Sequence, residues 1–354
     1  MTTAIETTGD ISPRRAGWTR TAIAFAAFTA ALAAAVVVSL CVGRFSVSAL
    51  RALEILGSAI VSPGRAVEAM DERIVLLVRA PRVVISAMAG AALATAGVAL
   101  QGVFRNPLVS PEVLGISQGA AFGGALAITL GIWGVPLLAI VFLCGFSALV
   151  FVGLLARIDG RTEIITVILS GMVVGSLFSA MVSLLQFIAD PNSSLPAIVY
   201  WLMGSFATAT WDRVLISVPG LMIGIGLLWA LRFRLNVLSL DDAEARSLGA
   251  NPDRERWLVF ALVALIVGCQ VAVSGIVGWV GLVIPHAARL IVGYDHRQLL
   301  PATAILGAAF MVTIDTLART ITAAEIPLGV LTAIVGAPVF ALLLRRHFRD
   351  KESR

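Results

Sequence analysis

Lysine is almost absent from this sequence, and its absence excludes one way of binding ATP. Only one lysine, Lys351, occurs in 354 residues. The phosphate-binding loop of an ATPase ends in Gly-Lys-Ser or Gly-Lys-Thr, so the glycine-rich stretch "GISQGAAFGG" cannot be such a loop. We therefore expect no cofactor in this chain, and any ATP hydrolysis must come from another protein.

Histidine and cysteine are also scarce, which argues against metal sites. His286, His296 and His347 are scattered, and neither His-Glu-x-x-His nor Cys-x-x-Cys occurs. The three cysteines lie within or at the edge of apolar stretches, where buried packing is expected rather than disulfide formation or metal binding. The sequence therefore predicts neither an enzyme nor a metal centre.

Charged residues are few, and the apolar stretches between them are long. The chain is 59% hydrophobic and only 13% charged. Runs of about twenty uncharged residues can cross a bilayer as helices, and their continuous apolar character argues against barrel strands. The predicted fold is all-α, a polytopic membrane protein with about ten transmembrane helices. The predicted spans begin near Thr21, Val83, Val113, Val135, Glu163, Val214, Trp257, Ile276, Leu300 and Leu328.

Arginines indicate the orientation of these spans. Basic residues collect in cytoplasmic loops, and arginines both precede the first span and follow the last. An even number of spans with this pattern predicts that both termini are cytoplasmic. The net charge of +5 is thus attributed to orientation and to contact with lipid headgroups, and no nucleic-acid partner is expected.

One membrane domain and short polar segments make up the predicted organisation. Residues 1–20 are expected to form a mobile cytoplasmic tail, as are residues 347–354. Residues 21–346 form a single transmembrane domain. Within it, residues 44–82 are predicted to be external and to hold an amphipathic helix, because leucines recur there at helical spacing. A second short outer helix is expected near Tyr200.

The longest inner segment joins spans six and seven, at residues 232–256. Ser239 or Asp241 can cap a short helix, and Gly249 can end it in the left-handed conformation. Asn251 can then start the next helix. These signals predict a compact helix-turn-helix that presses against the inner face of the membrane domain.

Prolines interrupt the chain between the second and third spans. Asn106-Pro107 and Pro111 predict a tight inner turn, because the residue before a proline leaves the helical region. Glu112 is expected in the first turn of the third span, where the helix dipole favours a negative charge. Glycines at helical spacing in the spans predict close helix packing. They are Gly115, Gly119 and Gly123; Gly171 and Gly175; and Gly275, Gly278 and Gly281.

Asp315 is the one charge that is clearly deep within a span. Arg319 lies one helical turn beyond it, which favours a structural ion pair. Alternatively, an intramembrane carboxylate can carry ions, so a secondary transporter or channel that works without ATP stays open.

Three separated stretches resemble a known family. They are "RAPRVVISAMAGAALATAGVALQGVFRNPLVSPEVLGISQGAAFG", "SGIVGWVGLVIPHAARLIVGYDHRQLLPATAILGAAF" and "DTLARTITAAEIPLGVLTAIVGAPVFALLLRR". They are similar to the FecCD family, the membrane permeases of ABC importers for iron-siderophores, haem and vitamin B12. The resemblance covers roughly residues 21–346.

The resemblance implies a multi-pass protein of the bacterial cell membrane that works with several partners. It implies a second permease, identical or paralogous, a pair of cytoplasmic ATPases that bind ATP and Mg²⁺, and an extracytoplasmic substrate-binding protein. A ferric siderophore is the expected substrate, and vitamin B12 or haem are the alternatives.

The resemblance also assigns roles to residues. It implies an inner gate near Gly160–Gly171, where isoleucines stand in place of the hydroxyl residues that the family would suggest. It implies docking of the binding protein at Arg79, Arg82 and Arg319, although Arg79 and Arg82 could instead extend to the membrane interface and Arg319 could pair with Asp315. The implied ATPase-coupling residues are Asp241, Asp242, Ala243, Glu244, Ala245, Arg246, Ser247, Leu248, Gly249 and Ala250.

Overall fold

The computed structural model describes residues 12–43, 45–62, 69–158 and 161–352. In this part of the chain, helices predominate. A π-helical stretch covers Ile74–Arg79, a 3₁₀ turn covers Pro111–Leu114, and a small antiparallel hairpin pairs β1 (Arg157–Ile158) with β2 (Arg161–Thr162). The helices are α1 (Ser12–Cys41), α2 (Ala49–Val61), α3 (Met70–Arg73), α4 (Ala80–Val103), α5 (Ile116–Thr129), α6 (Val135–Ala156), α7 (Ile164–Ile188), α8 (Ser194–Leu202), α9 (Trp211–Ala230), α10 (Arg232–Leu238), α11 (Asp242–Ser247), α12 (Pro252–Ser274), α13 (Val280–Val292), α14 (His296–Thr320) and α15 (Leu328–Glu352).

Each of the ten predicted spans corresponds to a helix. Seven of the described helices are long and apolar enough to cross a membrane, and two further apolar helices, Val280–Val292 and Leu328–Leu343, are shorter. The predicted third span is α5, which has only 14 residues. The all-α membrane fold is confirmed, but α5 and α13 are too short to cross the bilayer without adjoining chain, and the apolar part of α15 ends at Leu343.

Both ends of the membrane domain differ from the sequence prediction. Helix α1 begins at Ser12, so the second half of the predicted N-terminal tail is helical, and residues 1–11 lie outside the described residues. Pro13 is compatible with this start because proline is tolerated in the first turn of a helix. Helix α15 continues to Glu352, so it includes most of the predicted C-terminal tail.

The predicted amphipathic helix of the external segment is α2. Its N-cap Ser48 accepts a hydrogen bond from the backbone amide of Arg51. Ala52 and Ile55 are buried against α1 and the π-helical stretch, whereas Leu50 on the opposite face is 77% exposed. An exposed apolar face is suited to lie in the membrane interface.

Helix α4 lies at the centre of the bundle, where it packs against α14, α9, α13 and α12. Glycines allow this because they bring backbones into direct contact. A Cβ atom on Gly97 would lie 1.9 Å from the carbonyl oxygen of Gly281, and one on Gly90 would lie 2.2 Å from that of Gly307. The position of α4 is therefore fixed by its backbone as well as by its side chains.

Glycine stripes also join α5 to its neighbours, as predicted. Gly119 and Gly123 lie against α6, and Gly171 of α7 lies against the 3₁₀ turn at Val113. The prediction of a helical stripe through Gly275 and Gly278 was wrong, since both precede α13 in non-helical backbone. An apolar stretch of sequence has the same composition whether its backbone is helical or extended. Here Gly275 and Gly278 lie where the backbone between α12 and α13 is not helical.

Candidate functional site

The chain between α4 and α5 makes the predicted tight turn, closed by a hydrogen bond from the amide of Val109 to the carbonyl oxygen of Asn106 at 3.3 Å, and then re-enters the membrane domain. After α4 ends, the side-chain nitrogen of Gln101 donates to the carbonyl oxygen of Val109 at 3.3 Å, so the chain returns alongside the helix that it has just left. The ring of Pro111 contacts Gly281 opposite Gly97. Gly97 precedes the end of α4 by six residues, which places the 3₁₀ turn about 9 Å inside the inner end of that helix.

This geometry corrects the predicted place of Glu112. It belongs to the 3₁₀ turn Pro111–Leu114 and not to the first turn of a span, because Gly115 separates the two elements with a left-handed φ of 68°. A Cβ atom on Gly115 would lie 3.0 Å from the carbonyl oxygen of Gly171. Glycine is therefore needed here for both the conformation and the contact.

A second break lies between α12 and α13. The chain leaves α12 at Gly275, with a φ of 69°, and Trp279 also has a positive φ of 70°. The side-chain amide of Gln270 donates to the carbonyl oxygen of Gly275 at 3.2 Å, so part of the freed backbone is satisfied. Non-helical backbone is tolerated at membrane depth only where protein buries it or where it lines a water-filled cavity.

The re-entrant segment between α4 and α5 and the non-helical segment between α12 and α13 meet beside α7. The Oε1 atom of Glu112 lies 2.8 Å from the position that a Cβ atom on Gly278 would occupy. A groove of about 440 Å³ opens at this point. Its walls combine the end of the re-entrant segment, the start of α5 and one face of α7. The lining residues are Glu112, Val113, Gln118, Gly171, Met172, Gly175, Ser176 and Ser179.

Helix α7 continues the groove with a polar stripe. Ser176, Ser179, Ser183 and Gln186 are spaced by three, four and three residues, which places them on one face of the helix. The three serines are exposed, although most other exposed residues of α7 are apolar. Hydroxyl groups gain little by facing lipid, so this face is suited to a water-filled path.

This stripe was not predicted from the sequence, where only the start of α7 was assigned a role. Gly160 lies outside the described residues, and the inner-gate assignment to Gly160–Gly171 stays a prediction. The signal was nevertheless present in the sequence, because the polar residues of α7 recur at helical spacing in an otherwise apolar helix.

Gly115–Gly119 also matches the Gly-x-Ser-x-Gly pattern of hydrolases. Its serine, Ser117, is only 6% exposed. It opens a helix that follows a 3₁₀ turn, whereas the nucleophile elbow joins a strand to a helix. The motif is therefore a packing element between α5 and its neighbours.

The predicted coupling segment has the expected local structure. Asp241 occupies the N-cap position of α11, Gly249 has a φ of 77°, and the side chain of Asn251 caps α12 by accepting from the amide of Arg254 at 3.2 Å. Ser239 is not the N-cap of α11 but the C-cap of α10, and its hydroxyl donates to the carbonyl oxygen of Leu235. The predicted coupling role of these residues stays a prediction.

Helix α11 is attached through Asp242 to α12 and to the segment that follows α4. This carboxylate pairs with Arg256 of α12 and with Arg105 of the re-entrant segment, and Arg105 also reaches Asp241 at 2.9 Å. Partial burial would raise the pKa of Asp242, but the hydrogen bonds from Arg256 and Arg105 outweigh it and hold the pKa below its usual range. The ion pairs therefore persist at neutral pH and are lost only in acid, as the pH falls through that lowered pKa.

Most of the predicted coupling residues are accessible. Ala245 and Ala250 are buried against the chain and Asp242 is partly buried. The side chain of Leu248 is exposed although it is apolar, which suits a surface that another protein covers. The exposed members are Asp241, Ala243, Glu244, Arg246, Ser247, Leu248 and Gly249.

Arg82 lies inside the outer half of the bundle. Only 8% of it is exposed. Its guanidinium group binds both carboxylate oxygens of Asp315, at 2.8 to 3.0 Å, and it also donates to Glu325 at 2.9 Å. Asp315 is fully buried, so Arg82 neutralises a charge that would otherwise be unpaired in the protein interior.

Arg79 and Arg319 are occupied by backbone carbonyl groups. Arg79 donates to Leu40 at 2.5 Å and to Cys41 at 3.0 Å, and these bonds fix the outer end of α1. Arg319 donates to the carbonyl oxygen of Val42 at 2.8 Å.

Arg319 was predicted to be the partner of Asp315, but its Nε atom approaches the carboxylate only to 4.0 Å. Arg82 is the main partner of Asp315 instead, although the two residues are far apart in the sequence and no helical spacing relates them. Docking through these arginines stays a prediction, and it would require them to leave the partners that they have in this structure.

Known membrane permeases are similar to this chain over most of its length. Residues 31–346 match the model of the FecCD transport family. The chain is 44% identical over 308 residues to the molybdate import system permease protein MolB of Haemophilus influenzae, covering 87% of this chain and 91% of that protein. It is 40% identical over 273 residues to a probable iron chelatin transport system permease protein of Helicobacter pylori, covering 77% and 82%.

A solved structure is similar over nearly the whole chain. It is described as an inward-facing conformation of a putative metal-chelate type ABC transporter. The two chains have 42% sequence identity and a TM-score of 0.83, and the match covers 92% of this chain and 99% of that chain. Because the family model and these relatives cover most of the sequence, the protein belongs to the FecCD transport family and is a multi-pass ABC importer permease of the bacterial cell membrane.

Proposed function

We propose that this chain is the permease of an importer for a metal chelate of the ferric-siderophore type. The observation that carries the proposal is the form of the groove along α7. Its polar stripe runs from Ser176 to Gln186, about 15 Å along the helix, and it offers single hydrogen-bonding groups at intervals. Such a surface suits a large solute that makes few fixed contacts.

Free molybdate fits the groove less well. A small oxyanion is bound in proteins by several converging N–H donors, commonly including an arginine. No arginine, lysine or histidine is among the described residues that line the groove. The similarity to a metal-chelate transporter and to an iron chelatin permease supports a chelate, whereas the similarity to a molybdate permease supports the alternative.

Vitamin B12 and haem are the second candidates. Relatives that carry these names share the family, including a hemin transport system permease protein of Yersinia pestis with 39% identity over 290 residues. Both solutes are also large and would fit an elongated path.

The proposed assembly follows from the exposed faces of the chain. The polar stripe of α7 would face lipid in a lone subunit, so we place a second permease, identical or paralogous, against it. A pair of ATPases, which bind ATP and Mg²⁺, would contact α11 on the inner side. A binding protein would deliver the chelate at the outer end, near Arg79, Arg82 and Arg319.

Substrate choice is tested by reconstituting the permease with its ATPase and binding protein and by measuring uptake of labelled solutes. We expect uptake of a ferric siderophore at concentrations where molybdate, cobalamin and haem are not taken up. Uptake of molybdate in preference to every chelate would overturn the proposed substrate while leaving the family assignment intact.

A further inference from the structure

Glu112 is the acidic residue of the groove, and among the described residues no side chain pairs with it. Its side chain is exposed to the groove. Asp315, the other carboxylate at membrane depth considered above, is instead fully buried and bound by Arg82. A charge held at membrane depth without a counter-ion is costly, and it is normally kept where it faces a water-filled cavity and serves a function.

Glu112 lies close to the start of α13. Its Oε1 atom lies beside Gly278, two residues before the start of α13. The positive end of a helix dipole stabilises a nearby anion. Gln118 also lines this groove, and its buried Oε1 atom has no hydrogen-bond partner.

We propose that Glu112 makes this path selective by charge. A carboxylate, with no basic side chain among the described lining residues, creates a negative potential, which attracts cations and repels anions. Neutral and cationic metal chelates, such as ferric trihydroxamates, would then pass more readily than anionic catecholate chelates or free oxyanions. This inference rests on the proposed function, because it takes the α7 groove as the path.

The inference is tested by the reactivity of a cysteine placed in the groove. Ser179→Cys is introduced after Cys41, Cys144 and Cys269 have been replaced by alanine, and the full chain is labelled in membranes with its partners. Two methanethiosulfonate probes of similar size are used, one with a trimethylammonium group and one with a sulfonate group. The ratio of their reaction rates reports the local potential.

Glu112→Gln keeps the shape of the side chain and removes its charge. We expect it to lower the ratio of cationic to anionic labelling at Ser179→Cys by about tenfold, because both residues line the same groove and a nearby charge acts oppositely on the two probes. At Ser183→Cys, one further turn along α7, the same substitution should have a smaller effect. Leu177→Cys, on a neighbouring exposed face of α7, should react with neither probe.

The outcomes separate the two proposals. If Ser179→Cys reacts but the ratio is unchanged by Glu112→Gln, charge selection by Glu112 is overturned and the path assignment stands. If Ser179→Cys reacts no faster than Leu177→Cys, the stripe does not face water, and both proposals are overturned.

Discussion

Replacing Arg82 with alanine is expected to lower the free energy of unfolding by about 3–5 kcal/mol, because it leaves a buried charge without its partner. Asp315 is fully buried, and Arg82 binds both of its oxygens. Arg319 reaches the same carboxylate only at 4.0 Å and is held by carbonyl groups of α1, so it cannot replace Arg82. Thermal unfolding in detergent, followed by the fluorescence of the seven tryptophans, measures the loss.

Two further variants show whether the lost ion pair is the cause. Arg20→Ala removes an exposed arginine from α1 and should change the unfolding temperature little. The double variant Arg82→Met with Asp315→Leu should recover much of the stability, because the fully buried carboxylate is removed with its partner and Glu325, whose side chain is 25% exposed, can still reach water. If Arg82→Ala is as stable as Arg20→Ala but captures the binding protein poorly, then Arg82 docks the partner and the structural role is wrong.

Gly249→Trp is expected to abolish ATP-driven uptake, with little effect on assembly of the membrane domain. Nothing lies within 4 Å of a Cβ atom at Gly249, so the indole would project from the end of α11 into the proposed ATPase contact. Left-handed backbone costs a non-glycine residue about 1–2 kcal/mol, which a large membrane domain can tolerate. Uptake and ATP hydrolysis are measured on the same reconstituted complex.

A matched glycine provides the control for this substitution. Gly131 has a φ of 69° and also has open space around its Cβ position, but it lies in the loop between α5 and α6, at the opposite end of the bundle. Gly131→Trp therefore carries the same backbone strain without touching α11, and it should retain most of the uptake. Equal uptake by the two tryptophan variants would remove α11 from the coupling mechanism.

Much of the fold could be predicted from the sequence because lipid imposes a simple rule. A run of about twenty apolar residues has few alternatives to a helix, and each predicted span contains one. Local signals were also sufficient for α11, since a cap at Asp241 and a left-handed position at Gly249 depend on neighbouring residues only.

The non-helical segments before α5 and α13 and the buried ion pair between Arg82 and Asp315 could not be predicted in the same way. Glu112 was assigned to a helix because the apolar run after it is continuous, and the run alone does not show where helical hydrogen bonding starts. Arg82 and Asp315 are separated by 233 positions. Without knowledge of how α4 packs against α14, the nearby Arg319 was the natural partner to predict for Asp315.

ATP dependence is the most direct test of whether the chain works as an ATP-driven permease. Proteoliposomes containing the permease and its ATPase, with the loaded binding protein outside and nucleotide inside, are assayed for accumulation of a labelled ferric chelate. We predict accumulation with ATP, none with a non-hydrolysable analogue, and no change when ion gradients are collapsed. Accumulation that continues without ATP and follows an ion gradient would instead identify a secondary transporter.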